Sequence, residues 1–240
     1  MLSFDIVERH KEYPRSVRVK TALHGELSSA QRHIEALSRA MAVRDPLTHQ
    51  HSQRVQYYAA ALAWEAGLFQ NGRLDALEPA GLLHDIGKLA IPDRVLMKPG
   101  PLTRAEYDQV KQHTVIGADL LEGLSLGGSL ALIVRHHHEH WDGGGYPDGL
   151  RGEAIPIGAR VLAIADGYDA LTSDRPYRRA LSHACAVGLI REGLGTMFDP
   201  RITAVFLRIE CRLRWSRTAG IVTQAQPSGT LSPLTEGRAG

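Results

Sequence analysis

The sequence predicts an all-α fold, a bundle of helices, and three observations carry that expectation. Apolar residues recur at spacings of three and four through most of the chain. Ser, Thr, Pro and Gly stand where those stretches begin and end. No segment reads convincingly as a strand, and no internal repeat is visible.

Residues 1–25 are polar, contain Pro14 and Gly25, and show no period, so they read as a linker or loose arm. A helix is expected over 26–44, with Leu27, Ala30, Ile34, Leu37 and Met41 at coiled-coil spacing. That seam spans about two heptads and serves equally for packing on its own domain or for a homodimer. Pro46 ends it. A second helix is expected over 48–66, with Val55, Tyr58, Ala59 and Leu62 on one face and His51 one turn before Val55. A third, over 78–88, ends in the pair His84-Asp85.

Pro92, Pro99, Gly100 and Pro101 mark a loop. Thr103 with Glu106 forms a capping box that opens a helix through Val110, His113, Ile116, Leu120 and Leu121. A short helix over 129–139 carries a run of histidines. Gly143-Gly144-Gly145-Tyr146-Pro147 begins a turn-rich loop that lasts to Gly158. Residues 159–171 form another helix, apolar at Val161, Leu162, Ile164 and Ala165 and interrupted by Asp166. Ser182 caps a helix to about Glu192, and Gly193 and Gly195 stop it. A last helix follows Pro200. The composition turns to Ser, Thr, Gly, Pro and Gln after about Arg217, so a disordered tail is expected over 213–240.

A chain of 240 residues suits one domain plus extensions, and an apolar fraction of 43% argues against disorder. A net charge of +2 is too weak to imply nucleic-acid or membrane binding through bulk electrostatics. Cys185 and Cys211 lack metal-binding spacing and read as small apolar residues in a reducing compartment. No apolar run approaches the roughly 20 residues of a spanning helix. The N-terminus has no secretory pattern. A cytoplasmic location is expected.

The pair His84-Asp85, flanked by Leu82, Leu83 and Ile86, is the most informative feature. It sets two groups that are hard to bury at the edge of a core, where such groups are paired or bound to metal. His51, His113, His137, His138 and Asp166 add further candidate ligands. Taken singly, His51 or His113 reads as an ordinary hydrogen-bonded core residue. Taken together, the set falls in or at the ends of predicted helices, and helix bundles build metal sites from such inward side chains.

The absence of cysteine argues against a closed structural zinc site. Imidazole with carboxylate suits iron, manganese or zinc. Asp85 can bridge two ions through its two oxygens, and two ions clamp a phosphodiester and supply a hydroxide for in-line attack. Lys88 reads either as a helix C-terminal lysine or as a cation for a substrate phosphate. Arg175 and Arg178 are solvated cations or a phosphate or guanine clamp. The Arg208, Arg212, Arg214, Arg217 stripe reads as a solvated face. The glycine-rich loop lacks the setting of a nucleotide P-loop. It is a plain turn, or a lid from which Tyr146 stacks on a base or bonds a phosphate.

In order, the chain carries Asp45-Pro46-Leu47-Thr48 with His51-Ser52, His84-Asp85-Ile86-Gly87-Lys88, Ile91-Pro92-Asp93 and Lys98-Pro99-Gly100. His113 with Ile116-Gly117, His137-His138-Glu139, Trp141-Asp142-Gly143 and Gly145-Tyr146-Pro147 follow. Ala165-Asp166, Asp169-Ala170-Leu171-Thr172-Ser173 and Arg175-Pro176-Tyr177-Arg178 complete the series. Across roughly residues 40–210 this resembles the HD-GYP domain, a branch of the HD metal-dependent phosphohydrolases.

The resemblance implies a helical domain over 45–212 with a site for two metal ions, iron or manganese, between its helices. It implies hydrolysis of cyclic di-GMP to pGpG, with GMP as a further product. It implies metal ligands His51, His84, Asp85, His113, His137, His138 and Asp166, with Asp85 bridging. His84, Asp85 and Lys88 would be catalytic, and Lys88, Tyr146, Arg175 and Arg178 would contact the dinucleotide. Leu47 stands where some members place a third-metal glutamate, and His140 where arginine is common; His136 and His140 fall outside the ligand set.

Too few residues precede the domain for a receiver or sensor, so control is expected from a regulatory partner or the N-terminal helix. The competing functions are a cyclic di-GMP receptor without turnover and a hydrolase of another cyclic dinucleotide.

Overall fold

The computed structural model describes residues 28–68, 75–124, 126–174 and 178–218. The expected arm at 1–25, Leu27, Arg175 and most of the expected tail lie outside them. The described residues fold into ten α-helices and two short 3₁₀ segments, with an isolated bridge between Leu194 and Phe198. The all-α expectation holds.

Helix α1 (Ser29–Arg44) starts at a capping box between Ser28 and Gln31 and ends at Asp45. The Asp45 side chain then caps α2 (Pro46–Glu65) by accepting from the Leu47 and Thr48 amides. Pro46 therefore opens α2 instead of only ending α1, because a missing N–H is harmless in the first turn. On α1, Met41 is buried and Ile34 and Leu37 pack against the core. The seam offered for a homodimer is thus engaged within the chain.

Helix α2 is the central element and packs against α1, α3 (Leu77–Leu83), α8 (Ile157–Thr172) and α10 (Pro200–Thr218). Val55, Tyr58, Ala59 and Leu62 have no exposed surface, as their spacing predicted. Tyr58, Tyr168 and Phe206 meet edge to face, with centroids 5.2 and 5.3 Å apart. Gly81 lets α3 cross α2 closely, since a β-carbon there would stand 2.6 Å from the Gln56 Cα.

Three expected helices are shorter or divided. The third ends at Leu83, and a 3₁₀ segment, Ile86–Ala90, follows the His-Asp pair. After the short α4 (Asp93–Leu96), the capping box of Thr103 and Glu106 opens α5 as expected. That helix breaks at Gln112 into α5 (Arg104–Lys111) and α6 (His113–Gly123). Helix α7 (Gly128–His136) stops before His137, not at residue 139. Each break has a local cause visible at the site. A second 3₁₀ segment, Gly152–Ala154, lies in the loop before α8. Ser182 caps α9 (His183–Glu192) by accepting from the Cys185 amide, as expected.

Cys185 and Cys211 are exposed, which corrects their reading as apolar fillers. The arginine stripe is not wholly solvated: Arg208 donates to the Glu65 carbonyl and Arg212 pairs with the Glu65 carboxylate. No helix of the described residues is long and apolar enough to cross a membrane.

Candidate metal centre

His84, His113 and His137 follow one local rule. Each ring Nδ1 lies against the backbone carbonyl three residues earlier: Gly81 at 2.9 Å, Val110 at 2.7 Å and Val134 at 2.7 Å. Those carbonyls sit in the last turns of α3, α5 and α7, where helical partners run out. A carbonyl only accepts, so Nδ1 carries the proton and Nε2 the lone pair. The three helix breaks therefore fix three tautomers.

All three Nε2 atoms are buried and have no hydrogen-bond partner. Leaving a buried polar group unsatisfied costs about 1–3 kcal/mol. Three such lone pairs converging with carboxylates fit a metal, which takes neutral imidazole at this atom.

The seven expected ligands gather in one place. His51, His84 and Asp166 form one group, and His113, His137 and His138 another; within each, the candidate atoms all lie within 4.8 Å. Asp85 joins them, in a further such group with His84 of the first and His137 of the second. Its Oδ2 is 3.5 Å from His84 Nε2 and its Oδ1 is 3.5 Å from His113 Nε2. One oxygen thus faces each group. Burial alone would raise the Asp85 pKa, but Lys88 and the nearby histidines hold it well below the usual carboxylate range. Burial pushes His84 and His113 down, His137 well down and His138 to about 4, so these rings are neutral and ready to ligate.

Lys88 reaches back within the 3₁₀ segment, and its Nζ lies 2.6 Å from Asp85 Oδ2. The Tyr146 ring stacks at a tilt on His138, centroids 5.0 Å apart, and Lys111 Nζ lies 5.9 Å from its centre. Tyr146 is therefore part of the site wall. Burial raises its phenol pKa far above the usual value, so the hydroxyl stays protonated. Arg178 is exposed and donates to the Ala170 carbonyl at the end of α8. His136 is held by the Leu132 carbonyl and by Asp148, 2.9 Å away, and groups with Glu139 and Asp148 apart from the seven expected ligands.

Two further groups had no role in the sequence reading, although Asp169 and Glu139 stand in its motifs. The buried Asp169 pairs with the half-buried Arg54 behind His51, and each lies one helical turn beyond a candidate ligand, Asp166 or His51. That spacing was the available signal. Glu139 is buried and accepts from the Asp148 and Leu150 amides, which pins the Gly-Tyr-Pro loop. Nothing local in the sequence announces that contact.

The HD domain family matches residues 35–202, which contain all seven of these positions. The chain belongs to the HD domain family. This HD-domain chain is 43% identical over 185 residues to the cyclic di-GMP phosphodiesterase response regulator RpfG of Xanthomonas campestris pv. campestris. That match covers 75% of this chain and 48% of the relative. It is 37% identical over 171 residues to the 3'3'-cGAMP-specific phosphodiesterase 3 of Vibrio cholerae, covering 71% of this chain and 37% of the relative. The chain therefore spans half or less of the length of these relatives. Bd1817, an HDG"Y"P protein from Bdellovibrio bacteriovorus, shares the fold with a TM-score of 0.56 at 21% identity. That likeness covers 75% of this chain and 60% of the other.

Proposed function

We propose that this HD-domain chain is a metal-dependent phosphodiesterase that hydrolyses cyclic di-GMP to pGpG, with GMP as a further product. The observation that carries the reading is the two clusters of candidate ligands with an Asp85 oxygen 3.5 Å from a histidine of each. Two divalent ions, iron or manganese, suit this mixed nitrogen and oxygen set. Their chemistry, when bound, is Lewis acidity toward a phosphate oxygen and a lowered pKa for attacking water.

The chain's own residues do the rest. His51, His84 and Asp166 would hold one ion and His113, His137 and His138 the other, with Asp85 placed to serve both. Lys88 stands on the Asp85 side of the site and offsets the charge of the scissile phosphate. Tyr146 offers a protonated phenol to a phosphate oxygen or its ring face to a guanine. Arg178 and Arg175 serve the second phosphate or a guanine edge.

A second substrate reading has one observation in its favour. The chain is also similar to a phosphodiesterase named for 3'3'-cGAMP, so a hybrid dinucleotide belongs in the same assay.

The test is anaerobic purification, metal analysis, and an assay of both dinucleotides with manganese or ferrous iron. About two metals per chain with linear product is the expected result. Bound metal and bound nucleotide without turnover would replace the enzyme with a receptor. Unchanged turnover in a variant carrying His84→Ala and Asp85→Ala would show that the site lies elsewhere.

A further inference from the structure

We infer that Asp169, braced by Arg54, is the positioning residue that makes His51 a metal ligand, and that it renders the two metal positions unequal. This rests on the metal-centre reading above.

His84, His113 and His137 are each oriented by a neutral backbone carbonyl. His51 is oriented differently. Its Nδ1 lies 2.7 Å from Asp169 Oδ2, and Asp169 has no exposed surface. Arg54 grips both oxygens of that carboxylate, Nε to Oδ1 at 2.7 Å and Nη2 to Oδ2 at 2.9 Å. Ser173 closes the group: its Oγ donates to Asp169 Oδ2 at 3.2 Å and accepts from Arg54 Nη2 at 3.1 Å. Three side chains, from α2 and the end of α8, thus lock the His51 ring.

A buried ion pair is a poor device for stability alone, because desolvation consumes most of its attraction. Behind a ligating imidazole it has a specific effect. The carboxylate holds the tautomer, aims Nε2 and makes the ring a stronger donor. Nε2 of His51 is aimed into the site, 3.1 Å from Asp166 Oδ1.

The His51, His84, Asp166 position therefore has a carboxylate among its own ligands and a carboxylate behind one histidine. The His113, His137, His138 position has three imidazoles, and two of them rest on carbonyls. The first position is the stronger one for a divalent cation and fills first.

The experiment is a titration of the metal-free full chain with Mn²⁺, followed by calorimetry and by the spin signal of free Mn²⁺. The unsubstituted chain shows two unequal steps. Asp169→Asn preserves the shape but not the charge, and it weakens the tight step roughly 10–100-fold while the weak step stays in place. His138→Ala removes the weak step and leaves the tight one, which assigns the two.

Arg54→Lys supplies an independent check, since it keeps a cation but loses the two-point grip. It should weaken the same step by less than Asp169→Asn does. Equal weakening of both steps, in either variant, would mean that the pair only supports the fold and would overturn the inference. An unaltered tight step in Asp169→Asn would overturn it also. Absence of Mn²⁺ binding by the unsubstituted chain would instead overturn the metal-centre reading itself.

Discussion

Gly87 lies flat against the backbone of His113, so that a β-carbon at position 87 would stand 2.0 Å from the His113 carbonyl oxygen. The same carbon would be 2.7 Å from the Gly117 amide nitrogen. This close approach seats the 3₁₀ segment on α6 and brings Asp85 within reach of His113. Gly87→Ala should therefore cost roughly 2 kcal/mol or more, since the obstacle is backbone and cannot swing aside. A urea midpoint measured with and without manganese checks this, and loss of the metal-dependent increment should accompany the loss of stability. An unchanged midpoint would show that α6 is free to shift.

Glu139 anchors the Gly-Tyr-Pro loop through two backbone amides, 2.7 and 3.1 Å away. Glu139→Ala leaves both donors without their partner, at about 1–3 kcal/mol each. The damage should be local, so hydrogen exchange should quicken over residues 146–151 more than in α2 or α8. Uniform loss of protection would argue for a global role instead.

Lys88 lies beside Asp85 but is not a candidate ligand. Lys88→Met should leave about two metals bound and lower kcat toward a cyclic dinucleotide by roughly 10²-fold. A variant with normal turnover would confine Lys88 to a structural role beside Asp85.

Acid should destabilise the metal-free protein. Burial depresses His84, His113 and His137 and takes His138 down to about 4, whereas the unfolded rings titrate near ~6.5. Between those values the unfolded chain binds more protons than the folded one, so stability falls as pH drops through that window.

His51 runs the other way. Burial alone would lower it, but hydrogen bonds to Asp166 and Asp169 outweigh that and lift it to about 9. Its contribution is complete below ~6.5 and is lost as pH rises through the folded value. In chelator, the urea midpoint should peak near neutrality and decline toward both about pH 5 and about pH 10. A flat profile on the acid side would contradict the burial of the four rings.

The local chemistry of the chain determined most of the helices. Thr103 with Glu106 and Ser182 cap where they were expected, because a cap needs only residues within one turn. The core face of α2 was equally legible, since Val55, Tyr58, Ala59 and Leu62 follow the helical period. The seven ligand candidates were legible as residue types that are hard to bury without a partner.

The breaks after Leu83, at Gln112 and after His136 were not legible. Periodicity runs through them, and each depends on a histidine turning back to the carbonyl three residues before it. The pairing of Arg54 with Asp169 was hidden for a similar reason, as the two lie 115 residues apart in sequence. Sequence thus determined which side chains needed partners, because polarity and spacing are local properties. The tertiary structure decided how the other six candidates gather around Asp85, because that depends on where helices cross and how closely glycine lets their backbones meet.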